Sequence, residues 1–329
     1  LSRSRDAVRM TRSLDTPQPR LNRPLHCFVY NAVNVGQAQL KVLRKMETCV
    51  IRRLTAEGLY PVDYRADSLA EAALYEPREG VYTITNTFET YSVLKFDAHL
   101  DRLEDSAARQ GIPLQLDRLR LRQALRQMIE DAPFGGQAEP PGDVRFRVTV
   151  PAASSDTIIL SIEPFHPLRA DFIAHGIRCV TIPGGARVNP AAKTTEWMHD
   201  RKQIEANLPP GVYTALLLDE KGAILEGVSS NFYAVMDGEL RTAVEGVLPG
   251  ISQQIVFEVA PLVLPINTTP VTVSDLPRIA EAFITSSSRG VVPVVEIDGI
   301  SIGDGLPGVK TMSIRHEYIR WMQTHLEPL

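Results

Sequence analysis

The chain has 329 residues, 44% hydrophobic and 22% charged, with a formal net charge of −4. That length buries a substantial core and ordinarily divides into about two domains, while the balanced composition indicates neither intrinsic disorder nor a nucleic-acid-binding surface. No uninterrupted apolar run approaches the roughly 20 residues of a membrane helix, and Cys27, Cys49 and Cys179, odd in number and without CxxC spacing, suit neither a disulfide framework nor a zinc site, so a reducing, cytoplasmic setting is expected.

Residues 1–45 carry nine Lys/Arg against Asp6 and Asp15, a charge of +7 that leaves −11 for residues 46–329. An Arg-rich, acid-poor leader has the composition of a transit peptide, yet Pro17, Pro19 and Pro24 break any amphipathic helix, so a poorly ordered extension is expected there. Asp67 or Ser68 opens a short helix, and residues 80–91, rich in β-branched and aromatic side chains, read as a strand. Asp97 is the expected N-cap of a helix carrying Leu100, Leu103 and Ala107, and residues 116–129 form a second amphipathic helix before the Pro133-Phe-Gly-Gly and Glu139-Pro-Pro-Gly loops. Residues 144–150 and 157–162 pair as strands. Two prolines in Glu163-Pro-Phe-His-Pro-Leu then interrupt pairing, which divides the chain into a small α+β domain over 46–165 and a larger, strand-rich one over 166–329.

In the second part, apolar runs at 216–218 and 223–225 flank Asp219-Glu-Lys-Gly, and Asp237-Gly238 marks another hairpin. Glu226 ends the second apolar run, just before Gly-Val-Ser-Ser-Asn. A carboxylate there is unfavourable unless a cation or a strong donor meets it. Leu248-Pro-Gly-Ile-Ser252 leads into a helix with apolar residues at Ile255, Val256 and Val259, and such a helix start attracts phosphate. Taken singly, Glu226 is a solvated strand-end charge and Ser252 a cap. A last helix is expected around residues 310–325.

Taken together, Asn189-Pro-Ala-Ala-Lys193, the Glu226-Gly-x-Ser-Ser-Asn231 segment and Leu-Pro-Gly-Ile-Ser252 resemble the fold-type IV pyridoxal-phosphate enzymes. These are the class IV aminotransferases, including branched-chain and D-amino-acid aminotransferases and aminodeoxychorismate lyase. The similarity extends upstream to His99-Leu-Asp-Arg102-Leu with Ser106-Ala107, and downstream to Phe283-Ile-Thr-Ser-Ser-Ser-Arg-Gly-Val-Val-Pro293 with Ile297-Asp-Gly, in unbroken order over about residues 80–309. It implies a two-domain α+β fold of fold type IV, pyridoxal 5′-phosphate as cofactor, amino acid and 2-oxo acid substrates, and a homodimer.

The resemblance also implies roles for individual residues. Lys193 would carry the Schiff base and shuttle the proton, with Lys202 in Asp-Arg-Lys-Gln a surface lysine. Glu226 would keep the cofactor's ring nitrogen protonated. Arg102, the Ile251 and Ser252 amides, and the Ser252 and Ser287 hydroxyls would hold the phosphate. Substrate choice would rest on Tyr82, Asn86, Met198, Ser288 and Arg289. Relatives often have Glu and Arg where Thr83 and Asn86 stand, and some have Tyr where Met198 stands. Arg289 replaces a small residue of the branched-chain type and either clamps a substrate carboxylate or points to solvent. A branched-chain preference is accordingly not expected. An aminodeoxychorismate-type lyase using the same lysine and a cofactor-binding protein without turnover remain alternatives. A serine hydrolase is disfavoured, because Gly227-Val-Ser-Ser-Asn is not GxSxG.

Overall fold

A computed structural model describes residues 48–134 and 142–329. The expected disordered extension over 1–45 and most of the Pro/Gly-rich loop residues at 135–141 lie outside the described residues. The described chain begins with β1 (Val50–Thr55), β2 (Gly58–Pro61), α1 (Leu69–Ala72), β3 (Gly80–Asn86), β4 (Ser92–Leu94), α2 (Phe96–Arg109), α3 (Arg118–Glu130), β5 (Val144–Pro151) and β6 (Ile158–Pro164). It continues through α4 (Ala170–Ala174), β7 (Ile177–Ile182), α5 (Thr195–Ala206), β8 (Thr214–Leu218), β9 (Ile224–Gly227), β10 (Ser230–Met236), β11 (Glu239–Arg241) and α6 (Ile251–Val259). The last elements are β12 (Ile266–Asn267), β13 (Glu281–Ser286), β14 (Gly290–Ile297), β15 (Ile300–Ser301), α7 (Val309–Thr324) and β16 (Leu326–Pro328).

The first five-stranded sheet has the order β2-β1-β6-β5-β3 and is antiparallel throughout. Strand alternation gives it two different faces. Val144, Phe146, Val148 and Val150 of β5 join Leu160 and Ile162 in a core covered by Phe96, Leu100 and Leu103 of α2 and Leu121 and Leu125 of α3. Arg145, Arg147 and Thr149 alternate with them. Arg147 is buried and donates to Glu76 and to the Leu69 carbonyl, and Thr149 donates to Glu76, so the charges meet partners inside.

Two local details differ from the sequence expectation. The strand from Gly80 stops at Asn86, because Glu89 and Thr90 take left-handed φ values of 51° and 69°. Helix α2 has Lys95 at its N-cap with φ 48°, and the Phe96 N–H donates to Glu327 at 2.8 Å, so a carboxylate from β16 takes the place expected for Asp97. Pairing of β16 with β4 brings Glu327 there. Asp117 caps α3 and Ser68 caps α1, the latter as expected.

The second sheet runs β12-β11-β10-β13-β14-β7-β8-β9, and β9 also pairs with β10. Six strands therefore close on themselves, which leaves fewer unpaired edges. β7 lies parallel to both β8 and β14. Along β10, Phe232, Ala234 and Met236 enter one cluster, while Tyr233 and Val235 enter another beneath Ile255 and Val256 of α6 and Ile314 and Tyr318 of α7. The Asp237-Gly238 hairpin has φ 54° and 80°, the double left-handed geometry of a type I′ turn. Among the described residues no helix is long and apolar enough to cross a membrane.

Candidate active site

Lys193 sits in a loop stapled on both sides. Its carbonyl accepts the Tyr82 N–H at 3.0 Å, its own N–H donates to Ser106 Oγ at 3.1 Å, and Thr194, which bridges to Val81, caps α5. These bonds fix the lysine between β3 and α2 and turn its side chain into a cavity of about 570 Å³, within the usual range for a small-molecule site. Nζ lies 4.7 Å from the centroid of the Tyr82 ring. Burial pulls the Lys193 pKa down to about 8; Tyr82 opposes the fall, and Arg102, Arg201 and Arg187 reinforce it. On Tyr82, burial acts upward, but Arg201, Lys193 and Arg147 outweigh it and lower the phenol to about 8.

Glu226 is buried at the end of β9, and its cation is supplied by a residue the sequence reading passed over. Arg187 Nε donates to Glu226 Oε1 at 2.8 Å, and both side chains are almost fully enclosed. The same guanidinium donates to the carbonyls of Ala192 and Pro190, so it ties the acid to the segment carrying Lys193. A basic residue six positions before Lys193 in a Pro- and Gly-rich loop was the only sequence signal. Leu248 N–H donates to Glu226 Oε2 at 3.1 Å. Burial raises the Glu226 pKa, against the lowering effect of Arg187 and the Leu248 N–H.

The loop before α6 links two of the expected site residues, Glu226 and Arg102, to Asn231. Leu248 holds Glu226, the Pro249 carbonyl accepts Arg102 Nη1 at 3.2 Å, and the Leu248 carbonyl accepts Asn231 Nδ2 at 2.9 Å. Gly250 is the N-cap of α6, so Ile251 and Ser252 are its first two residues, and their amides lack intrahelical acceptors. Ser252 is therefore not the cap, and its Oγ accepts the Tyr318 hydroxyl at 3.0 Å. Ser287 and Ser288 lie in the turn between β13 and β14, facing the same cavity.

The substrate candidates divide. Met198 lines the cavity and packs with Ala73 and Tyr82. Arg289 also lines it rather than pointing to solvent, but its donors engage Ser286 Oγ, the Tyr213 hydroxyl and the carbonyl and Oγ of Ser229. Asn86 is not part of the cavity wall: it is buried at the far end of β3, where Nδ2 donates to the Thr87 carbonyl. Lys202 lines the cavity as well, donating to the Ala70 carbonyl, and so is not the plain surface lysine its context suggested.

The donor set suits a phosphorylated, aldehyde-bearing pyridine. Arg102 forms no ion pair among the described residues, its Nε–H is buried without an acceptor, and burial lowers its pKa to about 10. A buried guanidinium without an anion is unfavourable, and a phosphate between it and the α6 amides removes the mismatch. Lys193 supplies the amine, and Glu226, its pKa raised but still held by two donors, supplies the acid for a ring nitrogen.

Comparison with known proteins agrees with that chemistry. The profile of the family Amino-transferase class IV matches residues 80–297. The branched-chain-amino-acid aminotransferase of Escherichia coli is 26% identical over 244 residues, which cover 69% of this chain and 77% of that protein. The crystal structure of the branched-chain aminotransferase from Thermoproteus uzoniensis with norvaline superposes with a TM-score of 0.67 at 20% identity, covering 84% of this chain and 98% of that one. The T.th. branched-chain amino acid aminotransferase complexed with N-(5'-phosphopyridoxyl)-L-glutamate gives 0.67 at 18% identity, with 86% and 99% covered. These structures share the fold-type IV architecture.

Proposed function

The chain belongs to the class IV aminotransferase family and is a pyridoxal-phosphate-dependent aminotransferase, and from that premise we propose that Lys193 is the residue that bonds the cofactor and moves the proton. The supporting observation is the convergence of Lys193, Glu226 and Arg102 on one cavity.

When bound, pyridoxal phosphate supplies an aldehyde for an amino group and a ring that accepts electron density from the substrate α-carbon. Arg102, the Ile251 and Ser252 amides, and the Ser252 and Ser287 hydroxyls hold its phosphate. Glu226 keeps the ring nitrogen protonated while Arg187 orients the acid. Lys193 Nζ, neutral above about pH 8, takes a proton from the substrate α-carbon and returns it on the other side of the transfer. Tyr82 sets the charge of that amine, and Met198, Ser288 and Arg289 face the substrate. The amino donor becomes a 2-oxo acid, and a second 2-oxo acid takes the amino group. We also propose a homodimer in a cytoplasmic setting, which sedimentation and fractionation check.

Borohydride reduction after cofactor loading, followed by peptide mapping, should locate the modified residue at Lys193. Lys193→Ala should abolish the cofactor's visible band and nearly all turnover. Modification at Lys202 would overturn the assignment, and turnover without any 2-oxo acid acceptor would replace transfer by elimination.

A further inference from the structure

Helix α7 packs behind the cofactor cavity without forming part of its wall. Ile314 and Tyr318 share a buried cluster with Ile255 and Val256 of α6, Phe283 of β13 and Val291 of β14. In front of that cluster, α6 and the β13–β14 turn carry the two hydroxyls assigned to the phosphate, Ser252 and Ser287. Tyr318 meets both supports. Its hydroxyl donates to Ser252 Oγ at 3.0 Å, and its ring lies against Gly290, where an added Cβ would stand 3.5 Å from Cε1. Gly290 closes the turn with φ 62°, and Arg315, one helical turn before Tyr318, donates to the neighbouring Val291 carbonyl at 2.8 Å.

A serine hydroxyl has one proton and two acceptor sites. With the Tyr318 phenol on one acceptor site, the Ser252 proton is directed elsewhere. In or near a helix such a proton ordinarily turns back to a carbonyl three or four residues earlier. Here those carbonyls, on Pro249 and Leu248, are already engaged by Arg102 and Asn231. The cavity that Ser252 borders is thus the favoured direction. Burial pushes the Tyr318 phenol up to about 12, against a lowering by Ser252, so it remains a neutral donor over the range in which Lys193 titrates.

We propose that Tyr318 is a positioning residue for the cofactor's phosphate: it fixes the Ser252 hydroxyl as a donor toward the anion and braces the turn that presents Ser287. The proposal rests on the reading of Ser252 as a phosphate ligand. A phenylalanine at this position would fill the same space against Gly290 but leave the Ser252 proton free to rotate. A rotating donor has to be ordered when the anion binds, which weakens binding.

Titration of the cofactor-stripped full chain with pyridoxal phosphate and with pyridoxal, each followed by its visible band, reads the phosphate's contribution as the ratio of the two dissociation constants. Ser252→Ala should narrow that ratio. Tyr318→Phe should narrow it by about twofold to tenfold, the contribution of one neutral hydrogen bond, with pyridoxal affinity unchanged. In the Ser252→Ala background, Tyr318→Phe should produce no further narrowing, because its effect passes through that hydroxyl. A ratio unchanged by Tyr318→Phe while Ser252→Ala narrows it overturns the positioning role, even where thermal stability falls, and so does additive narrowing in the double variant. An unchanged ratio in Ser252→Ala would instead overturn the phosphate reading on which the proposal rests.

Discussion

Lys193 and Tyr82 influence each other's titration because both lie in the same low-dielectric pocket with Nζ close to the Tyr82 ring. Burial lowers the Lys193 pKa most, a phenolate at Tyr82 raises it and three guanidinium groups lower it further, with about 8 as the balance. Tyr82→Phe removes the one raising influence, so the pH midpoint for cofactor uptake, followed by the visible band, should move below that of the parent. An upward shift would refute the pairing. The sign for stability follows from the same values. A lysine whose pKa is about 8 when folded and 10.5 as a free residue is disfavoured as a cation by folding, so its contribution should make the cofactor-free protein more stable as pH rises from 8 to 10.5.

Glu226 and Arg102 should respond differently to mutation. Glu226→Gln strips a buried arginine of its acid and should lower unfolding stability by about 3 kcal/mol besides slowing the chemical step. Arg102→Ala breaks no ion pair, so it should weaken cofactor retention with little loss of apoprotein stability in denaturant titrations. Equal destabilisation by both would contradict the pairing seen here.

At the scale of elements, the short loop Leu248–Gly250 does the most positioning, since it touches the ring acid, the phosphate arginine and the start of α6 at once. Asn231, next to β9 on β10, anchors it through the Leu248 carbonyl. Asn231→Ala leaves that carbonyl unpaired and should lower stability by about 1–3 kcal/mol, with faster cofactor loss because Glu226 and Arg102 lose a common support. Unchanged cofactor retention would show that the loop is held by its other contacts alone. The Leu-Pro-Gly-Ile-Ser pattern made this helix start legible, as apolar periodicity did for α2 and α3. Legibility failed at the start of α2, because Glu327 reaches it from 231 residues away, and no local pattern encodes so distant a cap.

Over the whole molecule, a chain of net charge −4 encloses a strongly cationic cavity. Anionic cofactor and substrate should be drawn toward it by a field that salt screens. Raising ionic strength from about 0.01 M to 0.15 M shortens the Debye length from roughly 30 Å to 8 Å, so kcat/KM and the cofactor uptake rate should both fall. Salt-independent uptake would mean that the cavity field does not reach solvent.

The sequence by itself determined the class of chemistry, because a lysine, an acid, an arginine and a helix start recurring in fixed order constrain local backbone and side-chain type at each position. It also determined most strands and helices, whose apolar periods are local. Only the tertiary structure decided which charges meet. Arg187 reaches Glu226 across 39 residues, Tyr82 meets Lys193 across the β3 edge, and Asn86 is carried away from the cavity by the length of its own strand. Parallel pairing of β7 with β8 and β14, and closure of β9 onto β10, join segments whose patterns are individually silent about partners. A buried charge depends on what folding places beside it, and that neighbour is set by topology rather than by spacing along the chain.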